Sequence, residues 1–213
     1  MKNIFISVTV LLSFNLTSCL TSLRHLATYQ NIVTDNRITG LWENGGKQIL
    51  VTEFGKTSYV KLFEEARREK IPFTVKDSIF TLKHYIITYR EKELDYTWVA
   101  AIVNIGKLSF VSLTAESCFH FSEDISPSGS ASYSFAKLEW NNSNSFQLRF
   151  LDGDYIKEII LSGKARISHD YDPLFGTFVI TASVEELEKF LEKYGNDERL
   201  FKNGETINMI RKT

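Results

Sequence analysis

Residues 38–54 read ITGLWENGGKQILVTEF, and their period decides the fold class. Ile38, Gly40 and Trp42 fall on one face of an extended segment, because side chains alternate across a strand. Gly45-Gly46 supplies a turn into a second alternating run, Gln48–Phe54, which marks a β-hairpin. Gly55-Lys56 predicts another turn, into Thr57–Phe63. The same rhythm predicts short strands at Phe73–Val75, Ser78–Lys83 and Tyr85–Tyr89. Trp98–Val103 and Lys107–Leu113 follow, joined through Asn104-Ile105-Gly106. Short strands at this spacing, with Gly, Asn and Asp between them, predict an antiparallel meander curled into a barrel or sandwich.

Composition points the same way. Among 213 residues stand 16 Phe and 9 Tyr against 3 Pro and 2 Met, and aromatic side chains fit a pleated, half-buried surface. A net charge of -1 offers no electrostatic reason to bind nucleic acid.

Downstream of residue 115 the character changes. The stretch near 116–134 is Ser-rich, with Pro127 and Gly129, and is expected to form a long polar loop. Phe146, Leu148 and Phe150 then alternate with Gln147 and Arg149. Asp152-Gly153 reads as a hairpin turn into a strand at Tyr155–Leu161, and Phe178–Thr181 as a further strand. One amphipathic helix is expected at 184–194. Ser183 and Glu186 form a capping box, and Val184, Leu187, Phe190, Leu191 and Tyr194 share one face. Gly195 stands where a left-handed residue would end that helix. Glu205–Lys212 closes the chain as a strand with Ile207, Met209 and Arg211 on one side. The fold class is therefore mainly β, α+β at its C-terminal end.

The amino-terminal residues carry an address. Lys2 precedes an apolar run of 11 residues, Ile4 to Phe14, too short for a permanent span, which needs roughly 20. Leu16 disfavours ordinary signal cleavage after Ser18. Leu16-Thr17-Ser18-Cys19 instead resembles the lipobox of bacterial lipoproteins. The resemblance implies a signal peptide at 1–18 and a diacylglycerol, with palmitate-type acyl chains, on the Cys19 thiol. It also implies anchorage in the cell envelope. Leu20, in place of the Asp that retains lipoproteins in the inner membrane, favours the outer membrane, facing the periplasm. Residues 19–37 are expected to serve as anchor and tether, and 38–213 as one β-rich domain. With Cys19 acylated, Cys118 has no partner for a disulfide.

Gly40-Leu41-Trp42 near the start of the body, with Arg211 near its end, resembles the signature of lipocalin-like barrels. There the Trp lies across the barrel bottom and an Arg from the final strand packs over it. The resemblance implies Gly40, Trp42 and Arg211 as a structural signature.

Other clusters carry less. His25, His84, His120 and His169 form no ligand pair of the spacing zinc sites use. Cys118-Phe119-His120 places thiol and imidazole two residues apart, a pattern that also arises by coincidence in a loop. His169-Asp170-Tyr171-Asp172 lacks the acidic density and Gly of a calcium loop, and Asp172-Pro173 reads as turn chemistry. Glu64–Lys70 holds six charges in seven residues, a solvated face. No nucleophile elbow, phosphate-binding Gly loop or Cys-x-x-Cys is present. No catalytic, cofactor-binding or metal-ligating residue is accordingly expected. The expected function is a membrane-anchored, non-catalytic binding or scaffolding module for an apolar small molecule, a glycan or an envelope protein. The alternative is a hydrolase acting on an envelope glycan or lipid through carboxylates or the 169–172 cluster.

Overall fold

A computed structural model describes residues 20–58, 80–91, 94–115 and 132–212. Twelve strands and two complete α-helices fall among these residues: β1 (Thr21–Ser22), β2 (Ile32–Val33), β3 (Gly40–Asn44), β4 (Lys47–Glu53), β5 (Tyr85–Glu91), β6 (Leu94–Ile105), β7 (Leu108–Ala115), β8 (Ser134–Asn142), β9 (Ser145–Phe150), α1 (Gly153–Leu161), β10 (His169–Asp172), β11 (Thr177–Ile180), α2 (Val184–Tyr194) and β12 (Thr206–Arg211).

Strands β3 to β9 form an antiparallel meander, and β12 closes it by pairing with both β9 and β3. The result is a closed eight-stranded β-barrel. β6 is long enough to pair with β7 along most of its length while its other edge takes β5 and then β2. Closure leaves no free edge around the ring, the usual hazard of an exposed sheet.

Two apolar cores follow from the strict alternation. The inner one fills the barrel with Trp42, Val51, Tyr85, Ile102, Val111, Phe146, Met209 and their neighbours. The outer one lies where Ala101, Val103, Ile105, Phe110 and Phe135, on the opposite faces of β6, β7 and β8, are covered by Ile156, Ile159 and Ile160 of α1 and by Leu187, Phe190 and Leu191 of α2. A small sheet, β1-β11-β10, flanks this layer.

Several expectations are corrected. Residues 20–37 do not form a free tether. Leu20, Leu26, Ala27 and Ile32 are buried in the outer core, and β1 and β2 pair with β11 and β6. Ser22 exchanges both backbone hydrogen bonds with Tyr133 at 2.9 Å. Asn31 Nδ2 donates to the Leu26 carbonyl and to Glu188 of α2. Pieces of two residues pair here, too short for any period to reveal.

Residues 155–161 are helical where a strand was expected, so the α2 helix is not alone. Asp152 caps α1 by accepting from the Tyr155 amide at 3.0 Å. Ile156, Ile159 and Ile160, spaced by three and four, put one stripe into the outer core. Their β-branched shapes favour strands, but tertiary burial of the stripe wins over that propensity.

Residues 80–82 are helical rather than extended, which sets Phe80 edge-on to His84 with ring centroids 4.8 Å apart. A 3-10 turn at Phe54–Lys56 follows β4, where a turn was expected at 55–56. The expected strand beyond it, at Thr57–Phe63, lies mostly outside the described residues, as do Phe73–Val75, the Glu64–Lys70 run and most of the 116–134 loop. Gly195 ends α2 in a right-handed conformation (φ -64°). Glycine is needed there for space, since a Cβ would sit 2.7 Å from Leu108 Cδ1 and closer still to the Leu191 carbonyl oxygen. The capping box at Ser183 and Glu186 forms as expected.

Candidate functional site

The two ends of the barrel differ in chemistry. At the end where β3 begins and β12 finishes, Trp42 is fully buried and donates its indole N–H to the Ile38 carbonyl at 2.7 Å. Arg211 lies over the Trp42 ring, its guanidinium carbon 4.2 Å from the centroid. Its two terminal nitrogens donate to the carbonyls of Thr39 and Arg37. A guanidinium over an indole contributes about 0.5–2 kcal/mol, and these bonds tie the last strand to the approach of the first. Gly40 makes the packing feasible. Its φ is +124°, and a Cβ at that position would stand 2.7 Å from Arg211 Nη1.

Two further residues complete this end, and no motif in the sequence marks them. Arg37 stacks over Trp140 at 4.4 Å while its guanidinium meets Asp35 at 2.6 Å. Trp140 in turn contacts Trp42 and Phe146. The hydrogen bonds and charge of Arg37 hold the Asp35 carboxyl below its ordinary range, against the opposing effect of partial burial. Three aromatic rings and two guanidinium planes therefore close the barrel bottom. Arg37 was invisible because its partner Trp140 lies a hundred residues away in the chain.

At the other end the inward faces remain partly open. Tyr96, Trp98, Ala100 and Ile102 alternate on one face of β6, and Ala100 and Ile102 belong to the inner core. Tyr96 stacks between Tyr89 of β5, 5.9 Å away, and Trp98, 6.2 Å away, with interplanar angles near 20°. Tyr96 is 42% exposed, while Tyr89, Trp98, Leu113 and Ile207 pack only partly against the core. Lys47 reaches over the Tyr89 ring at 5.3 Å. The buried Tyr89 hydroxyl has no hydrogen-bond partner among the described residues. A ladder of three aromatic faces, with Tyr96 partly exposed, is chemically suited to stacking. In the sequence only Tyr96 and Trp98 stand at strand spacing; pairing of β5 with β6 is what brings Tyr89 beside them.

The remaining candidates separate. Cys19, Cys118 and His120 lie outside the described residues. His169 bonds the Ile167 carbonyl through Nδ1 at 2.9 Å and leans on Phe178. Asp172 accepts from the amides of Leu174 and Phe175, the turn role expected of it. These bonds give the cluster structural work and leave no acid–base pair at hydrogen-bond distance within it. His84 is buried beside Phe80, whose carbonyl it contacts at 3.0 Å through Nδ1. Burial, aided by the nearby His25, depresses its pKa to about 4 despite hydrogen bonds that oppose the shift. Among the described residues no group of three or more His, Cys, Asp or Glu could hold a metal ion, and no helix is long and apolar enough to cross a membrane.

Compared with protein-family models, curated proteins and solved structures, the chain matches none.

Proposed function

We propose that this chain is a lipid-anchored binding module of the bacterial cell envelope, exported by residues 1–18, acylated at Cys19, and binding a small apolar ligand at the Tyr89–Tyr96–Trp98 mouth. The observation that supports the ligand site is the asymmetry of the barrel. One end is sealed by Arg211 on Trp42, and the other carries stacked aromatic faces on inward positions, with Tyr96 42% exposed. Eight-stranded barrels have interiors of a size that side chains fill or one small ligand occupies. The lower interior here is filled by Trp42, Phe146 and Met209, so a ligand would sit high, on the ladder. The lipobox resemblance at Leu16-Thr17-Ser18-Cys19 supports the anchor, and Leu20 favours the outer membrane with the body facing the periplasm.

On this reading the module is non-catalytic. A hydrolase acting on an envelope polymer would need paired carboxylates or an acid–base pair in an open groove, whereas His169 and Asp172 are engaged with the backbone of their own segment. Native mass spectrometry of the full chain purified from a bacterial envelope tests both halves at once. The expected result is an acyl mass on Cys19 and a copurified apolar molecule. Tyr96→Ala and Trp98→Ala should each weaken binding of an apolar fluorescent probe, N-phenyl-1-naphthylamine, by about tenfold. A ligand-free mass together with unchanged probe affinity overturns the binding site, and an unacylated Cys19 overturns the anchor.

A further inference from the structure

The β10–β11 hairpin carries the two most exposed large apolar side chains among the described residues. Leu174 is 83% exposed and Phe175 77%, in the turn Pro173-Leu174-Phe175-Gly176. Turn tips are normally polar, and these two side chains point away from both cores. Their backbone is fixed: Asp172 Oδ1 accepts from both amides, and Lys157 of α1 reaches the Gly176 carbonyl while lying over Tyr171 at 4.5 Å. An apolar tip is thus presented on a held frame rather than left to fold back.

The position of the chain start says what meets it. β1 runs parallel to β11, with Thr21 opposite Val179 and Ser22 opposite Ile180. Because the pairing is parallel, the direction from Thr21 back through Leu20 points to the start of β11, where the turn 173–176 sits. Leu20 is itself buried in the outer core. Cys19 is its immediate neighbour, and consecutive Cα atoms are 3.8 Å apart. No slack separates the acylation site from the folded body, so an anchor at Cys19 draws this edge against the bilayer.

We infer that the hairpin tip inserts into the membrane interface beside the acyl anchor, with Leu174 and Phe175 among the upper acyl chains and Tyr171 and Lys157 at headgroup level. The occupant of this apolar tip is the lipid bilayer. Tyrosine and lysine suit that layer because each joins an apolar body to a polar end. Asp170 and the engaged Asp172 limit the depth to the tip itself. The body then stands on its membrane at two points, the acyl chains and the hairpin, and its orientation is set. This inference rests on the acylation of Cys19 proposed above.

The test uses the full acylated chain in vesicles of phosphatidylethanolamine and phosphatidylglycerol that carry a nitroxide high on some acyl chains. Phe175→Trp and, as a second reporter, Leu174→Trp are compared with Leu50→Trp, an exposed position on the barrel wall. The parent emission from Trp42, Trp98 and Trp140 is subtracted. Emission at 175 and 174 is expected to shift to the blue and to be quenched at least twofold more than at 50. Equal quenching at all three positions, with the acyl mass present on the same sample, overturns hairpin insertion and leaves the anchor standing. An absent acyl mass overturns the anchor and this inference with it.

Discussion

His84 is a residue whose environment has a measurable consequence in acid. Burial among Phe80, Thr81 and His25 keeps its imidazole neutral, with a pKa of about 4 against an ordinary 6.5. The unfolded chain takes up that proton more readily than the native one. The associated stability is therefore full above pH 6.5 and is lost as pH falls toward 4, in all about 3 kcal/mol at 1.36 kcal/mol per pKa unit. Equilibrium urea unfolding of the parent and of His84→Gln across pH 7 to 4 checks this. The variant should start less stable and lose less over the interval, because glutamine does not titrate. Below pH 4 the slope has other owners. Burial raises the Glu139 carboxyl, but Lys137, Gln147 and Arg149 together hold it below its ordinary range. Protonating it, or Asp35, costs stability at still lower pH.

At the scale of elements, α1 hangs on one side chain. Asp152 is 1% exposed; Oδ1 accepts from the Tyr155 amide and Oδ2 from the Asn203 amide. Asp152→Ala removes a cap and leaves two enclosed N–H groups without an acceptor, at a cost of about 3 kcal/mol. Asp152→Asn keeps one acceptor and should recover roughly half of that; thermal melts of both variants decide it. The same aspartate explains what the sequence conveyed and what it withheld. Alternation through Trp42, Ile49 and Val51 and through Phe146, Leu148 and Phe150 made the barrel strands legible, because one face of each is buried. The capping box made α2 legible for an equally local reason. Asp152-Gly153 is ambiguous locally, since it opens a hairpin or caps a helix, and only the outer core beneath Ile156 and Ile160 selects the helix. The hairpin tip at Leu174 and Phe175 and the mouth at Tyr89 and Tyr96 were not legible as sites, because each depends on which strands become neighbours.

Over the whole molecule, the lower seal ties the barrel's first and last strands together. Arg211→Ala removes the stack on Trp42 and the bonds to Thr39 and Arg37. It should cost about 2–3 kcal/mol, a fall in Tm on the order of 5–10 °C. Arg211→Lys should restore little, since an ammonium cannot both stack as a plane and donate to two carbonyls.

The ring closed by β12 and β3 also sets the order in which the chain can fold. The Arg211–Thr39 hydrogen bond spans 172 positions, so it forms only after nearly every other residue has been made. Until then β3 and β9 each present an unpaired edge, and the meander is an open sheet that neighbouring chains could extend. Contacts this distant form slowly. The export proposed above requires a chain that is still unfolded, and a barrel whose last stave begins at residue 206 is late to shut.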